Sequence, residues 1–218
     1  MKLLYSIIIS IVYIYPLCAD DLKKPHLIKS FKFNQSAASS GDAVYQFKLA
    51  QNYFNGVGVK KNIKQALHFY KLAVAQGNSD AQNSLGYLYK NGIGVIKNNK
   101  EAIRLFKLSI DQGNRSAMGH LAHSFANGIG VKQDHKEAAR LYKLSADLGS
   151  DWSKNALGYL YQNGKGVEKD LNKAFLLYKS AADNGFDIAQ GNLGFLHENG
   201  IGVKQDYKEA ARLYKLSA

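Results

Sequence analysis

The chain has 218 residues, 46% hydrophobic and 21% charged, enough for one ordinary domain or for a row of small units. Its formal net charge of +12 attracts anionic partners non-specifically, and its two prolines suit a helical chain. A single cysteine, Cys18, excludes a disulfide-stapled module and leaves stability to packing.

At the N-terminus Lys2 precedes the apolar run LLYSIIISIVYIY, which Pro16 breaks before the small residue Ala19. This pattern predicts an export signal over residues 1–19. The run falls short of the ~20 apolar residues of a spanning helix. An uncleaved signal anchoring the chain in an inner membrane is the alternative. Tyr15, Pro16 and Leu17 are a poor match for the small residues that lipidation of Cys18 would require. Cleavage leaves a mature chain without cysteine, periplasmic or released from the cell. Asn34-Gln35-Ser36 and Asn114-Arg115-Ser116 match the glycosylation pattern, which matters only in a eukaryotic secretory route. Residues 20–40 read as a linker, DDLKKPHL, and then a degenerate capping helix, in which Ala37-Ala38-x-x-Gly41 mirrors Ala181-Ala182-x-x-Gly185.

From residue 41 the chain repeats. Asn55, Asn91, Asn127, Asn163 and Asn199 each open an Asn-Gly-x-Gly-Val stretch, 36 residues apart, and Gly41, Gly77, Gly113, Gly149 and Gly185 keep the same interval. A fixed period of this size means stacked supersecondary units. They divide as 41–76, 77–112, 113–148, 149–184 and 185–218. In the second copy Ala81, Leu85, Leu88 and Tyr89 share one helical face, and Ala102, Leu105, Phe106 and Ser109 stripe a second helix. Asn62, Asn98, Asp134, Asp170 and Asp206 stand at the cap of that second helix. Three residues on come Gln65, Glu101, Glu137, Lys173 and Glu209, so four copies resemble a capping box and the fourth, with Lys173, has the weakest start.

The glycine-rich stretch is a turn. Asn-Gly ends the first helix in a left-handed conformation, the second glycine lets the chain reverse, and Val59, Val95, Val131, Val167 and Val203 plug the gap between helices. A phosphate loop would come once, after a strand, with a Lys-Ser or Lys-Thr pair. This stretch comes five times, between helices, and lacks that pair.

Ala81, Leu85-Gly86, Tyr89, Gly92-x-Gly94-Val95, Ala102, Phe106 and Gly113 together resemble the Sel1-like repeat, a relative of the tetratricopeptide repeat. The resemblance covers residues 41–218. The first copy departs, with Tyr45 and Ala50 at the positions of Ala81 and Gly86, and the third has Ala122 for that glycine. The resemblance implies an all-α solenoid of antiparallel helix pairs in a right-handed superhelix. It also implies an adaptor for peptide or protein partners, in envelope assembly or in contact with a host. A cysteine-rich branch of the family is linked to β-lactam binding and hydrolysis, but its paired cysteines are missing here. Ser-x-x-Lys, His-Glu-x-x-His and Gly-x-Ser-x-Gly are missing too, so the chain reads as a scaffold rather than as an enzyme, with a β-lactamase-like or cell-wall hydrolase as the disfavoured alternative and no cofactor expected.

By the same resemblance the first helix of each pair lines the concave face. That places Asp80, Asn83, Tyr87, Lys90 and Asn91 inward, with Gln51, Tyr87, His123, Tyr159 and Phe195 as one row and Trp152 in the row of Asp80. Rings suit an extended peptide, because they give contact area for little rotamer entropy. Packing between repeats is the competing account of the same rings. His120 and His123 lack a third ligand, so no metal site is expected.

The second helices carry a basic ladder, Lys71, Lys107, Lys143, Lys179 and Lys215, partly neutralised by Asp111, Asp147 and Asp183. It is either a solvated face or a dock for an anionic lipid or polysaccharide. Nucleic acid is not expected, since no recognition motif is present. The stretch KEAARLYKLSA at 208–218 is identical to 136–146. It has no polar capping variant, which predicts an open apolar end that packs on a partner or a second copy, or a truncated array.

Overall fold

The computed structural model describes residues 24–218. The predicted export signal, Cys18 and the first residues of the linker lie outside the described residues. Those described form eleven helices and no strand, an all-α solenoid of repeated helical pairs. They fall into two compact units, one ending at Asn78 and one spanning Ser79–Ala218.

The first unit holds α1 (Pro25–Ser39), α2 (Ala43–Asn55) and α3 (Ile63–Ala75). Helix α1 reaches back into the stretch read as linker. Pro25 stands in its first turn, where a missing N–H costs nothing. Phe31 meets Tyr53 edge-on at 5.5 Å, Tyr53 stacks on Phe69 at 5.9 Å, and buried Asn34 donates to Asn52 at 2.9 Å.

The second unit holds four pairs: α4 (Ser79–Asn91) with α5 (Asn99–Ile110), α6 (Arg115–Asn127) with α7 (His135–Asp147), α8 (Asp151–Asn163) with α9 (Leu171–Asp183), and α10 (Asp187–Asn199) with α11 (Tyr207–Leu216). Each helix packs on its pair mate and on the next helix in sequence. Leu85, Leu121, Leu157 and Leu193 anchor the first helix of each pair at 4–5% exposure. Each such burial contributes about 2 kcal/mol.

The second helices start alike. Asn98, Asp134, Asp170 and Asp206 each accept from the backbone N–H three residues on, at 3.0, 3.0, 2.9 and 2.9 Å. The return bond of a capping box does not form. The cap residue's own N–H is already given to a carbonyl of the preceding helix: Asn98 to Tyr89, Asp134 to Phe125, Asp170 to Tyr161 and Asp206 to His197, at 2.9–3.0 Å. Glu101, Glu137 and Glu209 turn instead to Arg104, Arg140 and Arg212. Lys173 therefore costs the fourth copy nothing, and its ammonium pairs with Asp170 at 3.1 Å.

The turn glycines do two jobs. Gly128 and Gly130 both have φ near +70° (67° and 74°), which other residues adopt only at a cost. The second also admits the preceding repeat, since a Cβ on Gly130 would stand 2.8 Å from Asn99 Cβ and 2.9 Å from its carbonyl oxygen. Asn99 opens α5, so this turn locks one pair against the next.

Candidate partner-binding face

The first helices of the second unit lie side by side. Tyr87 of α4 meets His120 of α6 at 5.5 Å between ring centroids, and His120 meets Trp152 of α8 at 5.3 Å. Asn192 of α10 donates to Asn155 of α8 at 2.8 Å. Four helices thus present one continuous face.

The centre of this face is a ring cluster. His120 is 7% exposed, stacked on Phe106 at 5.4 Å and flanked by Tyr87 and Trp152. Trp152 also approaches His123 at 6.3 Å and meets Tyr142 edge-on at 5.9 Å. Gly119 makes the Trp152 position possible: a Cβ there would stand 2.6 Å from Trp152 Cζ3. Mid-helix glycine costs about 1 kcal/mol against alanine, so the close approach explains a residue that helix propensity disfavours.

Lys90 is the unusual member. It is 5% exposed. Its ammonium lies 5.8 Å from the Tyr87 ring centroid, and among the described residues no carboxylate pairs with it. Burial, helped by the nearby charge of Lys97, lowers its pKa from 10.5 to about 8. That shift is worth about 3 kcal/mol. A cation–π contact returns about 1 kcal/mol. A place in the last turn of α4 returns about 0.5 kcal/mol. The charge is therefore held in the fold without full compensation.

The repeat shows why. Gln162 and Glu198 occupy the position of Lys90 in the fourth and fifth copies, and they accept from the hydroxyls of Tyr178 and Tyr214 at 2.9 and 2.7 Å. In the second copy the tyrosine position is Phe106, which has no hydroxyl. Near Lys90 stand two shielded polar atoms without partners, His120 Nδ1 and His123 Nδ1, and Asn83 Oδ1 on the same helix as Lys90 is a third. Burial, with Lys90 and His123 adding to it, lowers the His120 pKa to about 3. Burial and Lys90 lower that of His123 to about 4. Both imidazoles are neutral at pH 7.

Of the residues expected to bind a ligand, Tyr87, Lys90, His123 and Trp152 come together around His120, and Asn83 stands on the same helix as Tyr87 and Lys90. Tyr159 and Phe195 lie further along the same run of first helices and are 39% and 36% exposed. Lys165 lies 5.0 Å from the Tyr159 ring. Gln51 is exposed on α2 of the first unit. His120 and Phe106 are the members that sequence reasoning left out. Their signal was a break in register, Phe106 interrupting a tyrosine column of Tyr70, Tyr142, Tyr178 and Tyr214.

Lys71, Lys107, Lys143, Lys179 and Lys215 are all exposed. Lys143 pairs with Asp147 at 2.8 Å and Lys179 with Asp183 at 2.7 Å, so two of the five carry their own counter-charge. A shallow cleft of about 670 Å³ lies elsewhere, lined by Phe125, Val131, His135 and Gly166. The ring cluster lies outside it.

The Sel1 repeat model matches residues 43–78, 79–114, 115–150, 153–186 and 187–218. No protein of curated function matches the chain. Among solved structures, a Sel1 repeat protein from Oxalobacter formigenes is 34% identical over 87% of this chain and 78% of its own, with a TM-score of 0.80. A protective antigen of uropathogenic Escherichia coli strains, described as an SLR fold, is 33% identical over 88% of this chain, with a TM-score of 0.74. This chain spans 41% of that protein's length. An immunity protein from Pseudomonas aeruginosa, 19% identical with a TM-score of 0.61, covers 86% of this chain and 72% of its own, and shares the fold. With five matched repeats and relatives at this level of identity, the chain belongs to the Sel1 repeat family.

Proposed function

We propose that this Sel1 repeat chain is an exported scaffold that holds a peptide or protein partner along the first-helix face of residues 79–218. Sel1 repeats generally serve protein–protein interaction. The observation that carries the reading for this face is the pair of exposed rings, Tyr159 and Phe195, at 39% and 36% exposure beside a cluster of half-buried ones. Rings exposed in a row on rigid helices give a peptide contact area at low entropic cost. The same rings would be buried if packing between repeats were their whole purpose.

Export rests on the Lys2, apolar run and Ala19 pattern of residues 1–19. The Escherichia coli relative is a protective antigen, which supports a place where a host can meet the protein. Envelope assembly or host contact is accordingly the setting we assign. The test is capture of envelope or host-cell proteins by the purified chain, compared with a Tyr159→Ala, Phe195→Ala variant. A specific partner should be retained by the wild type and lost by the variant, with helicity unchanged by circular dichroism. Equal capture by both proteins would remove the face from the reading.

A further inference from the structure

The strongest unassigned feature of the molecule is a buried cation with no carboxylate, among the described residues, to neutralise it. Lys90 is 5% exposed, its equivalents in two other copies are an amide and a carboxylate, and the hydroxyl they serve is absent at Phe106. Three unpartnered polar groups lie together there: the Lys90 ammonium and the Nδ1 atoms of His120 and His123. Tyr87 and Trp152 wall the group with apolar ring faces.

We propose that this cluster is a recognition site for the side-chain carboxylate of a glutamate on the partner peptide. The proposal rests on the reading of this face as the partner-binding surface. The chemistry selects the ligand. An uncompensated ammonium calls for an anion, and charge-assisted hydrogen bonds are the strong ones. The charge of the anion is limited to one. Lys90 stands in the last turn of α4, where the carbonyl end of the helix repels further negative charge. A phosphate dianion is therefore disfavoured. Each neutral imidazole, with its proton on Nδ1, donates to a carboxylate. The depth of Lys90 requires an arm. Two methylenes of glutamate pass between the rings, whereas a chain terminus brings its backbone to the rim.

Trp152 is the only tryptophan of the chain and lies in the cluster, so its fluorescence reports on the site. The probes are three capped tripeptides: acetyl-Ala-Glu-Ala-amide, acetyl-Ala-Gln-Ala-amide and acetyl-Ala-Gln-Ala with a free C-terminal carboxylate. The glutamate peptide should give a saturable change, with at least tenfold tighter apparent binding than either glutamine peptide. In Lys90→Met, which keeps the length of the side chain, that preference should vanish while circular dichroism is unchanged. Equal responses to glutamate and glutamine, or a preference that survives Lys90→Met, would overturn the proposal. Equally tight binding of the free-carboxylate peptide would overturn the side-chain assignment. No saturable response to the glutamate peptide would overturn it as well. The scaffold reading is judged separately. A partner captured through Tyr159 and Phe195 but indifferent to Lys90→Met sinks only the carboxylate site. A glutamate response with no captured partner keeps the site and sinks the scaffold.

Discussion

At the scale of single residues, the fold tolerates a cost at Lys90 that a purely structural position would not carry. Breaking a helix face with a buried cation is unfavourable, and a hydrophobic residue of similar volume is commonly neutral or stabilising in its place. We expect Lys90→Met to be more stable than the wild type by about 1–3 kcal/mol near pH 7. The pH dependence fixes the cause. Folding lowers the Lys90 pKa from 10.5 to about 8, so the unfolded chain binds more protons between those values and wild-type stability gains with rising pH. The gap between variant and wild type should be full below pH 8 and close toward pH 10.5. The burial-raised phenols of Tyr142 and Tyr178 oppose the trend above pH 10, but they are common to both proteins and cancel in the difference. Urea unfolding across this range measures it, and a gap independent of pH would show that the lysine charge is not the cause.

At the scale of the helix, a sequence pattern was legible in its residues and misleading in its bonds. Asp134 and Glu137 have the spacing of a reciprocal cap. Only half of it forms, because the N–H of Asp134 is spent on Phe125 of the preceding helix at 2.9 Å. Spacing along one helix carries no information about a donor already used across a pair. The energetic consequence is specific. Asp134→Ala should cost about 1 kcal/mol, since it leaves the first-turn N–H groups of Lys136 and Glu137 unbonded by a side chain. Glu137→Ala should cost no more than about 0.5 kcal/mol, the worth of an exposed pair with Arg140. Equal costs in urea unfolding would restore the reciprocal cap. The candidate site was legible to a similar degree. Tyr87, Lys90, His123 and Trp152 follow from register. The burial of Lys90 and the place of His120 at the centre depend on contacts between α4, α6 and α8 that no single repeat encodes.

At the scale of the molecule, the period of 36 residues carries most of the architecture, because each helical pair is too small to bury its own apolar stripe and must lie against its neighbours. In residues 79–218 the result is not one core but a succession. One cluster joins Ala102, Phe106, Leu121, Tyr142, Leu157 and Leu160. Another joins Ala174, Tyr178, Leu193, Leu196 and Leu213, and Tyr161 packs against both. Stability in such an array is a sum of pair terms and interfaces between adjacent pairs, so damage should stay near its origin. Leu193 is 5% exposed and belongs to the second cluster only. Leu193→Ala should cost about 2–5 kcal/mol where it acts. Hydrogen exchange should then rise across α9, α10 and α11, while amides of α5, α6 and α7, whose side chains fill the first cluster, keep their protection. A single globular core would respond otherwise, with every slow amide losing the same free energy, and that uniform loss would refute the modular account.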